Sequence, residues 1–520
     1  MAGREVEWKE VQGIVLKGYR NKTVTRYYLL QINDPAAARA WLNGNLGLIS
    51  FCGDRKESEV SLNLAFTLAG LAKMGIPKDA LDTFPWDFRD GMTSPLRRRI
   101  LGDFGPNDPN TWCWGHGDPN LHVLVIMYGS NPGPCPHAAS LVQGWGNAFT
   151  IRRQQPVGRL WEDAREHFGF VDGLSQPAID TSPRAQKQRE RGDLDAIIQP
   201  GEFILGYVNE RGQLPVSPSI AAVPNSGLAV ITNADRLSSV YPANAVFPRL
   251  DFGRNGSFLV YRQLQQDVFA FADLVKRGAG ILGDGKTSQL SDEADFRRLV
   301  AAKIIGRWDD GTSLTLAPKD RPARDSNLRT VNNFGYVDED RYGLRCPIGA
   351  HVRRGNPRDT LDENDKQQAI RRSKRHRLLR RGRVYGERTF GTDGTGWKAW
   401  DVGEKTDDGK ERGTHFVAIN ASIESQFEFV QQTWMNTPFF GGLTDELDPL
   451  VGMPDVGERR RRFTIQGTPV NRRFRWTKPL VTVRGGAYFF LPSQAALKFL
   501  ASAPLIAAIQ PDNNRSVAAG

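Results

Sequence analysis

His351 stands within Cys346-Pro347-Ile348-Gly349-Ala350-His351-Val352-Arg353-Arg354-Gly355-Asn356-Pro357-Arg358. An imidazole among Gly, Pro and Arg suits metal ligation better than core filling, because an apolar core rarely accepts such neighbours. Far upstream, Gly169-Phe170-Val171-Asp172-Gly173 leads into Leu174-Ser175-Gln176-Pro177. A carboxylate between small, turn-forming residues suits a wall pressed closely against a flat ligand. An imidazole on one side and a carboxylate on the other point to a sandwiched haem, with His351 as the iron ligand.

Three segments in this order carry a family resemblance. The Asp172 segment resembles the GxxDG signature of the dye-decolorising peroxidases, and the His351 segment is similar to the stretch that holds their proximal haem histidine. Leu378-Leu379-Arg380-Arg381-Gly382-Arg383-Val384-Tyr385-Gly386 resembles the segment that supplies their distal arginine. It departs from the family pattern at Arg383-Val384, where an apolar residue and then proline are expected. Pro200-Gly201-Glu202-Phe203, Gly306-Arg307-Trp308 and Arg484-Gly485-Gly486-Ala487 extend the likeness over most of the chain.

The resemblance implies an α+β fold of two ferredoxin-like halves, with antiparallel sheets and peripheral helices and a haem held mainly by the C-terminal half. It also implies one haem b per chain, His351 as proximal ligand, and hydrogen peroxide and aromatic donors as substrates. Large donors are then oxidised at the surface through redox-active aromatics. Trp308, Tyr336, Tyr342, Tyr385, Trp397 and Trp400 lie near the motif-bearing segments, although packing is the better account of each of them.

With a single neutral imidazole ligand, ferric haem keeps its opposite face open to peroxide. Cleavage of the O–O bond needs a proton moved between the two oxygens and positive charge near the departing one. Asp172 suits the first task and Arg380 the second. A neighbouring guanidinium holds a carboxylate in its charged form, so an acidic optimum is expected. Arg353 and Arg358 have the fork geometry to pair with haem propionates, and solvated arginines describe them as well. Glu424 and Glu428 are offered as acceptors for the second ring nitrogen of His351, against an exposed helix flank as the alternative. His167 is the rival ligand, disfavoured by sharing a segment with Asp172. Cys346 reads as a buried thiol rather than an iron ligand.

Several elements must position these groups. Residues 24–32 read as a strand leading into a helix over 35–42, and 122–128 as a buried strand. Residues 257–261 lead into a helix over 263–275, and 415–420 into one over 422–434. In the last, Ile423, Phe427, Val430 and Trp434 share a face. The charged stretch 183–193 reads as a linker between domains spanning residues 1–195 and 196–520. Residues 359–374, 403–413 and 441–462 read as exposed loops.

At 520 residues the chain can bury a large core, and 39% hydrophobic with 24% charged residues is ordinary globular composition. Four cysteines without a CxxC pair argue against a disulfide framework or a zinc ribbon. A polar first ten residues and apolar runs far shorter than the roughly 18 needed for a membrane span lead to the expectation of a cytoplasmic protein with no membrane segment. The net charge of +11, and eight Arg or Lys residues between positions 371 and 383, bring nucleic acid into question. That run has no interleaved aromatics for base stacking, so it reads as a solvated face apart from Arg380, with no nucleic-acid partner. A homo-oligomer is left open, since nothing in the sequence decides the oligomeric state. A haem-handling protein with incidental peroxidase activity is the alternative function; it needs His351 but makes no demand on Asp172.

Overall fold

A computed structural model describes residues 5–54, 58–131, 135–238, 248–283, 293–319, 332–389, 407–453 and 461–509. In the N-terminal half, β1 (Val24–Ile32), β2 (Ser61–Phe66), β3 (Val123–Gly129) and β4 (Phe149–Gln154) form an antiparallel sheet in the order β4-β1-β3-β2. β1 is rich in β-branched and aromatic residues and is buried along almost its whole length, as a strand covered on both faces must be. A two-residue strand, β5 (Gly158–Arg159), pairs with the start of β1.

The C-terminal half repeats the plan. Here β6 (Ser257–Gln266) lies between β9 (Gly413–Asn420) and β10 (Val481–Leu491), and β9 pairs on its far side with the short strands β7 (Leu379–Arg380) and β8 (Arg383–Tyr385). Taken in chain order within each half, both sheets run 4-1-3-2, the ferredoxin-like arrangement. The halves join at Phe490↔Phe66 on one side and at Val384↔Arg159 on the other, so the ladder closes on itself as a barrel. Tyr27, Ile126, Tyr261, Val417 and Phe489 pack its interior. The outer faces take the helices.

Three expectations about the connections need correction. Residues 183–193 are not a bare linker: Pro183–Glu190 is a helix, capped by the Ser182 hydroxyl, which accepts from Ala185 N, and it buries Ala185 and Gln188. Part of the supposed loop 359–374 is a helix, Lys366–Lys374, with Asp365 at its N-cap. The helix expected over 263–275 begins only at Val268, because pairing on both edges carries β6 to Gln266. The helix after β9 has wide, π-type turns over Glu424–Glu428 and Val430–Met435, a local irregularity often found at functional sites. None of the described helices is long and apolar enough to cross a membrane.

Candidate active site

Outside the barrel wall lies a cavity of about 330 Å³ that Asp172, His351 and Arg380 all line. This is within the range of roughly 300–1,000 Å³ typical of ligand sites. Its walls are largely apolar, with Leu264, Phe416, Phe427, Val430 and Leu450 among them.

His351 opens a short helix, His351–Gly355. Its Nδ1 lies 2.9 Å from Asp448 Oδ2, and the other carboxylate oxygen accepts from Leu450 N and Val451 N. A buried carboxylate with these donors stays ionised, so Nδ1 carries the hydrogen and Nε2 keeps its lone pair. Burial alone would lower the His351 pKa, but Asp448 outweighs it and the net shift is upward. For Asp448, burial pushes upward and the His351 pair prevails, holding it below its ordinary value. The acceptor is thus Asp448 and not Glu424 or Glu428. Glu428 is taken by Arg97 and Tyr488, and Glu424 is mostly exposed. Sequence spacing could not have found Asp448, which is distant in the chain and embedded in a stretch read as loop.

The Asp172 turn is held by Glu166. Its carboxylate accepts from Phe168 N, Phe170 N and the Gln266 amide, tying the turn to the barrel wall. Gly169 and Gly173 adopt φ of 99° and 79°, which a side-chain-bearing residue takes only with strain. Asp172 Oδ1 lies 3.1 Å from Arg380 Nη2, and the two side chains keep 54% and 35% of their surface accessible, so a ligand in the cavity can reach both. Burial deep below the outer surface would raise the Asp172 pKa, but Arg380 and the Gly173 amide overcome this and the net shift is downward. The Arg380 amide donates to Gln176 Oε1 at 3.0 Å, which links the first and third motifs directly.

Strand alternation separates Arg380 from its neighbour. Arg381 turns to the opposite side of the strand, where its guanidinium donates to the carbonyls of Ile14, Val15 and Leu16. Arg383 is likewise buried, bonded to Gly18 and Tyr19 carbonyls. The solvated-face reading of this basic run therefore fails for both.

Arg353 does not line the cavity. It is buried, bonded to Asp340 and to the Cys346 and Arg341 carbonyls, and stacked over Tyr336. The expectation that it faces a propionate is corrected: its donors are already used in holding the His351 segment. Arg358 does line the cavity, beside Arg307 and Arg377, two residues the sequence reading did not assign. Burial, and then the neighbouring Arg358, pull both Arg307 and Arg377 down to about 10. Such mutually repelling guanidinium groups beside one cavity favour an anionic ligand. His167 is buried with Nε2 on the Tyr385 carbonyl, and its pKa is pulled down to about 4 by burial. Burial pushes the Cys346 thiol up to about 11. Neither lines the cavity.

Among the described residues, no cluster of three His, Cys, Asp or Glu side chains could hold a bare metal ion. A lone oriented imidazole, apolar walls and a guanidinium cluster fit a metal carried in a flat, carboxylate-bearing macrocycle. Of the aromatics near the motifs, Trp308, Tyr336 and Tyr385 are buried and Tyr342 is 74% exposed, while Trp397 and Trp400 lie outside the described residues.

No family model matches the chain. It is 28% identical to the dye-decolorizing peroxidase msp1 of Mycetinis scorodonius, across 95% of this chain and 87% of the relative. It is also 28% identical to the multifunctional dye peroxidase DyP2 of an Amycolatopsis strain, across 94% and 95%. The structure of an ancestral D-type dye decolorizing peroxidase, 26% identical, superposes with a TM-score of 0.73 over 96% of this chain and all of that one. Fold and relatives together define an α+β haem peroxidase. More narrowly, the relatives and solved structures that it resembles over most of its length are dye-decolorizing peroxidases.

Proposed function

We propose that this peroxidase reduces hydrogen peroxide and oxidises aromatic donors, dyes and phenols among them, in one-electron steps, with His351 as iron ligand, Asp172 as acid–base group and Arg380 as charge stabiliser. Haem, when bound, supplies the redox-active iron. Residues 1–195 contribute Asp172, and residues 196–520 contribute His351 and Arg380. Asp448 holds the His351 ring in the tautomer that leaves Nε2 to ligate, and strengthens it as a donor. Asp172, ionised beside Arg380, takes a proton from peroxide and returns it to the departing oxygen. Arg380 steadies the negative charge that develops there. Arg307, Arg358 and Arg377 are assigned to the propionates, one haem b per chain. The four unpaired cysteines support a reducing, cytoplasmic setting.

The observation that carries this reading is the Asp172–Arg380 pair sharing one cavity with an Asp448-oriented imidazole. Purified protein loaded with haem is expected to give a Soret band and peroxide-dependent oxidation of an anthraquinone dye. Asp172→Ala should keep the band and lose turnover, whereas His351→Ala should lose the band. Haem uptake without turnover in the unaltered protein would leave a haem-binding protein and remove the enzyme.

A further inference from the structure

On the barrel side of the wall that bounds the cavity, Tyr261 and His415 are both fully buried, with Tyr261 Oη 2.9 Å from His415 Nδ1. The other ring nitrogen, Nε2, lies 2.8 Å from the Pro156 carbonyl. A carbonyl oxygen only accepts, so Nε2 carries the hydrogen and Nδ1 is a bare lone pair. The Tyr261 hydroxyl therefore donates to it. The phenol of this pair has a base waiting on its proton.

Neither partner serves as an ordinary acid or base. Burial pushes the Tyr261 phenol far above its usual range and pulls the His415 imidazole down to about 3, so both stay neutral across the working pH range. Removing an electron changes that, because an oxidised phenol is a strong acid and the proton has only to slide along an existing hydrogen bond.

The surroundings suit electron movement. Tyr261 is tilted against Trp114 at 4.9 Å and stacked on Tyr27 at 5.3 Å, and His415 is packed by Tyr27 at 4.6 Å and Tyr385 at 4.7 Å. Trp114, 8% exposed, extends this cluster toward the surface. On the same two strands, Arg262, Leu264, Thr414 and Phe416 line the cavity. Successive strand residues face opposite sides, so only the wall, a single sheet deep, separates the pair from the cavity.

We propose that Tyr261, with His415 as its proton acceptor, is an internal one-electron donor that holds oxidising equivalents inside the barrel when no external donor is bound. The inference rests on the peroxidase reading above, since peroxide turnover supplies the oxidant. Tyr261 gives one electron to the oxidised centre in the cavity, its phenolic proton passes to His415 Nδ1, and a neutral tyrosyl radical faces an imidazolium that still donates to Pro156. Reduction through Trp114 by an aromatic donor at the surface returns the electron, and His415 returns the proton.

The test is to mix the haem-loaded enzyme with one equivalent of hydrogen peroxide without donor, freeze it within milliseconds and record the electron paramagnetic resonance spectrum. A radical is expected whose lines narrow on ring-deuterated tyrosine labelling, and which shows coupling to one exchangeable deuteron in heavy water. Tyr261→Phe should lose this signal while still binding haem and consuming peroxide. His415→Gln can preserve both hydrogen bonds but cannot take up a proton, so it should weaken the signal, which a merely structural role would leave unchanged. Peroxide consumption with no tyrosine signal, or an undiminished signal in both variants, overturns the inference and leaves the peroxidase reading standing. Failure of the unaltered protein to bind haem, by contrast, removes both.

Discussion

Replacing Asp448 by Asn tests the orientation of His351 with almost no change of shape. The carboxylate serves two sets of donors at once: Nδ1 of His351 on one oxygen, and the amides of Leu450 and Val451 on the other. An amide has only one oxygen. If that oxygen keeps the backbone donors, the amide NH₂ faces Nδ1, and the ring avoids two opposed hydrogens by moving its proton to Nε2, which can then no longer ligate iron. If the amide flips, NH₂ meets the two backbone N–H groups, and two buried donors go unsatisfied at about 1–3 kcal/mol each. Either way the imidazole also loses the buried anion that strengthens it. Loss of such an outer partner typically weakens a metal site about 10- to 100-fold, or roughly 1.4–2.7 kcal/mol. Haem titration followed by Soret absorbance should show this weakening, together with a higher reduction potential. Equal affinity and an unshifted potential in Asp448→Asn would refute the assigned tautomer.

Asp172→Ala should lower peroxide turnover roughly a hundred- to ten-thousand-fold, as removal of a general base does, with the Soret band retained. The Asp172 pKa lies below its ordinary value because Arg380 outweighs burial. The active carboxylate therefore persists as pH falls and is lost only below that value; in Arg380→Leu burial dominates, and the acid limb of kcat/KM for peroxide should move to higher pH. Haem dimethyl ester, which lacks ionised propionates, should bind roughly 10- to 100-fold more weakly than haem if the Arg307, Arg358 and Arg377 cluster makes charge-assisted bonds; equal binding would free these arginines from that role. Arg381→Ala should cost about 3 kcal/mol in chemical denaturation, by stranding the carbonyls of Ile14, Val15 and Leu16.

The residues that meet at the cavity were legible where local sequence reflects a local constraint. The glycines around Asp172 mark a turn with positive φ, and the Gly, Pro and Arg setting of His351 marks a residue outside a continuous core. What was missed depends on long-range meetings. Asp448 reaches His351 from nearly a hundred residues away, and Glu166 takes its meaning from Gln266, a hundred residues on in the barrel wall. Arg353 was misjudged because a guanidinium near a ligand residue looks the same in sequence whether it faces the ligand or braces the loop beneath it. The helix over Pro183–Glu190 was hidden by its composition, almost wholly charged and polar, since only Ala185 and Gln188 reach the interior.

The closed barrel gives one wall two chemistries. Along β6, Arg262 and Leu264 turn toward the cavity while Tyr261 turns inward; along β9, Thr414 and Phe416 face the cavity while His415 faces the interior. At the end of β7 the same alternation puts Arg380 beside Asp172 and turns the next residue, Arg381, to the N-terminal segment. A one-residue slip of β9 would exchange the faces, putting His415 in the cavity and Phe416 against the interior tyrosines. That exchange is opposed twice over, because Gly413 approaches Leu264 too closely to carry a side chain and the Arg381 amide is fixed to the Val417 carbonyl. Gly413→Ala, which places a methyl group against the β6 backbone, should therefore impair haem loading as well as stability. Unchanged haem affinity in a stably folded Gly413→Ala protein would show that the cavity does not depend on this register.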